Sequence, residues 1–150
     1  MHIPLALMVA LAAGPNDAPP AACRDDARAI EIAYRLSDLP PEVRLDLMRL
    51  TRFSIGERPR PLRRSHVVIP EERGYLGSRF YRALRFQNVW YVQWESALTA
   101  GVQTIGYIGD ARGRFHASPV LRFGGPPCET ITAVLAGIVA PVDALVPRPD

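Results

Sequence analysis

The chain has 150 residues, 48% of them hydrophobic, and a formal net charge of +3, which suits one domain with a core of ordinary size, and no second domain is expected. Its 18 basic residues are all arginine and its 15 prolines accompany abundant alanine. That is a bias of coding composition, so the positive balance alone does not argue for a phosphate-binding surface, and no nucleic acid partner is expected.

Residues 3–13 are almost wholly apolar and end in small side chains. Eleven residues fall short of the roughly 20 that cross a bilayer, so the run reads as a signal peptide cleaved after Ala12, or after Gly14. A disordered Pro/Ala spacer over residues 13–22 follows, and Pro20 sits where acylated cysteines usually carry a branched aliphatic before them. Export to the periplasm or beyond then makes Cys23 and Cys128 a disulfide, because an even cysteine count in a small exported chain is best paired. No transmembrane segment remains after cleavage on this reading. The loop so closed is worth about 4 to 5 kcal/mol on the chain-entropy model.

The single domain is expected over residues 23–141, of α+β class. Asp25 and Asp26 stand before an apolar stripe of Ile30, Ala33, Tyr34 and Leu36, which predicts a helix over residues 24–36. Pro40 and Pro41 open a second one with Val43, Leu47 and Leu50 as its buried face. Together they form an N-terminal helical hairpin. Arg58, Arg60, Arg63 and Arg64 then alternate with prolines in an extended connector, a semi-rigid solvated segment or a site for anionic partners.

Beyond it the period changes to two. A short edge strand is expected at 66–69, then a four-stranded antiparallel meander at 79–85, 89–97, 102–109 and 114–123. Three-residue turns at 86–88 and 111–113 set Arg85 opposite Val89, Leu84 opposite Trp90, Phe80 opposite Trp94 and Tyr107 opposite Ala117. A four-residue connection sets Trp94 opposite Ile105. These registers put Phe80, Leu84, Trp90, Val92, Trp94, Ile105, Tyr107, Phe115, Ala117, Leu121 and Phe123 on one apolar face. A C-terminal helix at 129–140, bearing Ile131, Val134 and Leu135, is the most apolar candidate to cover that face. A flexible tail takes residues 142–150.

The opposite face carries Tyr81, Tyr91, Glu95 and His116, a candidate binding face where Tyr, His and Glu together suit a ligand or a proton shuttle. Cross-strand pairing, Arg79 with Glu95 for example, explains the same residues without function. After cleavage only His66 and His116 remain as histidines. No nucleophile elbow, zinc-protease helix, phosphate loop or dinucleotide fingerprint occurs, and neither cysteine has a close Cys or His companion. No catalytic residue, metal or cofactor is therefore expected. The sequence favours a non-enzymatic domain that binds a protein or cell-envelope component. The alternatives are a small-molecule-binding protein or hydrolase using the outer sheet face, and anion binding through the arginine connector.

Overall fold

Alternating β-branched and aromatic residues between 78 and 125 build the centre of the molecule. The computed structural model describes residues 20–64, 74–97, 99 and 102–136, without side chains at 119–123. The expected signal peptide, the strand at 66–69 and the tail at 142–150 lie outside the described residues, as does all of the spacer but its last three residues. Eight elements follow in order: β1 (Glu31–Ala33), α1 (Pro41–Leu50), β2 (Ile55–Gly56), β3 (Ser78–Phe86), β4 (Val89–Ser96), β5 (Val102–Gly109), β6 (Phe115–Gly125) and α2 (Pro127–Leu135). The strands make one sheet in the order β1-β3-β4-β5-β6, antiparallel throughout, with the two-residue β2 running parallel to the start of β3.

The N-terminal helical hairpin is not formed. Arg24–Arg28 is a short 3₁₀ helix, and Glu31–Ala33 is a strand that pairs with Ala83–Arg85. The reason is tertiary. The outer edge of β3 exposes a row of unpaired backbone groups, and Ile30 N–H donates to the Arg85 carbonyl at 2.8 Å as the chain enters that edge. In the strand Ala33 is buried whereas Ile30 and Tyr34 are exposed, so the apolar stripe that suggested a helix never packs as one. Only the second helix of the pair exists. Pro41 occupies its first turn, Glu42 follows, and Val43 and Leu47 are completely buried, each stabilising the fold by roughly 1.5 to 3 kcal/mol.

Register agrees with expectation at one hairpin and differs at two. Tyr107 opposes Ala117 as expected, and Gly109 opposes Phe115. Between β3 and β4 the turn holds two residues, with Gln87 at φ 53°, so Phe86 opposes Val89 and Leu84 opposes Tyr91. A bulge between Phe80 and Arg82 then restores Phe80 to Trp94. Its extra residue, Tyr81, transfers Leu84 and Arg82 to the other face of the sheet. Between β4 and β5 Trp94 opposes Gln103 and Val92 opposes Ile105, a two-residue shift that keeps every side chain on its expected face. A second irregularity, between Ile105 and Gly106, skips Pro119 to Leu121 on β6.

Both faces are covered, each by a different helix. Trp90, Val92, Trp94, Ile105 and Tyr107 pack with Phe80 and Ala83 against Val43 and Leu47 of α1. Helix α2 covers the other face, Ile131 packing on Leu84 and Tyr91. This corrects the assignment of the C-terminal helix to the apolar face: α1 supplies enough aliphatic surface there, and the bridge to Cys23 holds α2 on the side of the 3₁₀ helix. Among the described residues no helix is long and apolar enough to cross a membrane.

Candidate functional site

The bulge at Tyr81 places a charged group where a strand would normally bury an aliphatic one. Arg82 is fully buried, and its Nη1 donates to Asp26 Oδ2 at 2.8 Å and Oδ1 at 3.0 Å. Its Nε donates to Gln93 Oε1 at 3.0 Å, while Nη2 lies 2.6 Å from Cys23 Sγ. Gln93 passes the network on, the two hydrogens of its Nε2 shared among the Pro127 carbonyl at 2.9 Å and Thr104 Oγ1 and Thr130 Oγ1 at 3.2 Å each. Cys23 and Cys128 are bonded with their Cα atoms 5.3 Å apart, so the disulfide and the guanidinium join the 3₁₀ helix, α2 and three strands at one point. None of the node's buried side-chain nitrogens and oxygens is without a partner among the described residues, which makes the node a structural staple. Beside it, Thr132 Oγ1 donates to Asp25 Oδ2 at 2.6 Å. That bond, with Arg28 at 3.1 Å, holds the Asp25 carboxyl below the usual carboxylate range against the opposing effect of burial.

The four residues of the expected binding face fall in three places. Glu95 takes Arg79 Nε at 2.7 Å and Arg58 Nη2 at 3.3 Å. The Arg58 and Arg82 guanidinium groups each stand 5.8 Å from the Tyr81 ring centre, so Tyr81 shares Arg58 with Glu95. Tyr91 is 8% exposed beneath α2, and burial pushes its hydroxyl pKa up. His116 stands exposed at the β5–β6 turn, its Nε2 3.3 Å from Asp110 Oδ2. Asp110 accepts the Arg114 and Arg112 backbone N–H groups at 2.9 and 2.8 Å, and the bond from Arg114 leads the causes that hold its carboxyl at about 2.

The arginine connector also divides. Arg58 turns to Glu95, Arg60 Nη2 donates to the Gly74 carbonyl at 3.0 Å and Arg64 is exposed. Arg63 takes another direction, because the segment is pinned to the chain before β3: its N–H donates to the Leu76 carbonyl at 2.9 Å, and Leu76 N–H to the Pro61 carbonyl at 2.8 Å. Its guanidinium lies over Gly77, where a Cβ would stand 2.6 Å from Nη2. The side chain lines a cavity of about 510 Å³ between the end of α1 and the β4–β5 connection, together with Arg52, Ser54, Ser78, Trp94 and Gln103.

Helix α1 ends at this cavity in a Schellman turn. Phe53 N–H donates to the Met48 carbonyl and Arg52 N–H to the Arg49 carbonyl, the pattern that normally requires glycine after the cap. Arg52 and Phe53 instead hold φ at 52° and 57°, a left-handed conformation costing roughly 1 to 2 kcal/mol per non-glycine residue. Thr51 and Ser54 donate their hydroxyl hydrogens to the Leu47 and Thr51 carbonyls at 2.9 and 2.6 Å. Gln103 Nε2 bonds Thr99 Oγ1 at 3.0 Å. No Asp or Glu lines the cavity among the described residues.

Two groupings were not anticipated from the residue pattern. The Arg82 node had one signal, a lone arginine between Phe80 and Leu84 in an apolar run with Asp25, Asp26 and a cysteine upstream. The cavity had none beyond Arg63 itself, since its walls come from five separate segments. Among the described residues no group of three or more His, Cys, Asp or Glu is placed to hold a metal ion. Compared with known protein families, with curated proteins and with solved structures, the chain matches none of them.

Proposed function

We propose that the chain is an exported, disulfide-stapled domain that acts by binding a protein or cell-envelope component and not by catalysis. The observation that carries this reading is the oxidised Cys23–Cys128 bridge, built into the buried node of Arg82, Asp26 and Gln93. A fold whose only long-range covalent tie is also the hub of its buried polar network is suited to an oxidising compartment. The apolar run at 3–13 supplies the matching address.

Intact mass of the protein taken from its own cells, with and without reduction, tests the export half. The expected species begins at Ala13, or at Pro15, and gains two hydrogens on reduction. A species that begins at Met1 with two free thiols refutes it. The binding half is tested by cross-linking in intact cells: a partner recovered with the native chain, and lost when exposed surface residues are substituted without loss of fold, supports it. Turnover of a substrate that depends on His116 refutes it. A second reading, anion binding by the arginine connector, narrows to Arg63, whose surroundings differ from those of its neighbours.

A further inference from the structure

We infer that the cavity beside Gly77 is a binding site for a small hydroxylated oxyanion, a carboxylate or phosphate on a sugar-sized body, with Arg63 as the group that recognises the charge. This deepens the binding reading and rests on it, but not on export. Arg28, Arg58, Arg79, Arg82, Arg85 and Arg114 each meet an aspartate or glutamate within 4 Å. Arg63 meets none among the described residues, and its Nε is buried without a hydrogen-bond partner. A guanidinium drawn partly out of water and unanswered among the described residues is the arrangement a planar or tetrahedral oxyanion completes with paired N–H bonds.

The surroundings extend the match. Arg52 adds a second cation to the wall, held there by a backbone conformation that glycine would adopt at less cost. Gly77 lacks the Cβ that would displace the Arg63 guanidinium, so the arginine's position depends on that residue. Thr51 and Ser54 have already spent their hydroxyl hydrogens on backbone carbonyls and present oxygen acceptors only. Anion donors and hydroxyl acceptors in the same lining call for a ligand carrying both a negative group and hydroxyl donors. A volume of about 510 Å³ falls within the usual range for small-ligand sites.

Calorimetric titration of the oxidised chain with glucuronate, glucose 1-phosphate and glucose tests the inference, with the Arg63 Nε–H resonance followed by NMR. Saturable binding of at least one charged probe is expected, with Kd on the order of 1 mM or tighter, a shifted Arg63 resonance, and glucose at least about tenfold weaker. Arg63→Gln lowers affinity by about tenfold or more, the size of a lost charge-assisted hydrogen bond. Gly77→Ala does the same by pushing aside the guanidinium and Ser54, whose Nη2 and Oγ would stand 2.6 and 2.9 Å from the added Cβ, which keeps the test open if Arg63→Gln fails to fold. Arg60→Ala, at an exposed residue outside the cavity, leaves affinity unchanged. A response to glucuronate alone assigns the site to carboxylates, and one to glucose 1-phosphate alone to phosphates. Failure of every probe to saturate, glucose binding as tightly as the anions, or affinity indifferent to both Arg63→Gln and Gly77→Ala overturns the inference. A chain that binds yet retains Met1 and free thiols refutes export and leaves this site standing.

Discussion

Removing either partner of the buried ion pair should destabilise the fold unequally, and the direction follows from burial. The Arg82 side chain is 0% exposed and that of Asp26 is 12% exposed. Asp26→Ala strips both carboxylate oxygens from Nη1, at 3.0 and 2.8 Å, and leaves the sealed guanidinium with Gln93 Oε1, a long 3.5 Å bond to the Ala21 carbonyl and a disulfide sulfur, a poor acceptor. It also removes the acceptor of the Cys23 N–H, now at 2.8 Å. An uncompensated buried charge costs about 3 to 5 kcal/mol. Arg82→Met removes the charge itself. Asp26 can then take water, and the stranded group is Gln93 Oε1, at about 1 to 3 kcal/mol. The expected order is therefore Asp26→Ala worse than Arg82→Met by about 2 kcal/mol, with the double change costing less than the sum. Urea unfolding of the oxidised protein near neutral pH measures all three, and Asp26→Ala should lower Tm by roughly 10 °C. If Arg82→Met costs as much as Asp26→Ala, or both cost under about 1 kcal/mol, the pair does not hold the node as described.

Reduction of Cys23–Cys128, or serine at both positions, should lower stability by up to about 4 to 5 kcal/mol for a sequence separation of 105, read as a shifted urea midpoint with and without reductant. Arg52→Gly relieves a left-handed residue at φ 52° at the expense of added unfolded-state freedom, so a net gain of about 0.5 to 1 kcal/mol is expected; a loss would show that the side chain holds the turn. Asp110 has a folded pKa of about 2, below its ordinary 3.8, so the stabilisation it adds to the β5–β6 turn is complete above pH 3.8 and disappears as pH falls through about 2. Carboxyl NMR should show that titration, and Asp110→Asn should abolish the pH-dependent part of the Arg112 and Arg114 amide protection. Tyr91, raised by burial beneath α2, should keep its proton beyond pH 10 and withdraw its stabilisation as pH rises through the folded value, visible as a delayed phenolate absorbance.

The amino-acid sequence by itself determined the parts of this protein that depend on nearby residues. Period-two alternation and the Asp110 to Arg114 turn specify the meander and the β5–β6 register, because a hairpin's geometry is set within a few residues. The proline-started helix at 41–50 and the single pair of cysteines were legible for the same kind of reason. The tertiary structure alone decided what depends on neighbours distant along the chain. An open edge of β3 drew residues 31–33 out of a helical pattern, since unpaired strand groups outweigh a weak local preference. One inserted residue, Tyr81, moved Arg82 and Leu84 across the sheet, and alternation carries no mark of a bulge. Which helix covers which face followed from the bridge between Cys23 and Cys128. The surroundings of Arg63 were set by five segments meeting around Gly77, so this arginine could be separated from its neighbours in the connector only once the chain was folded.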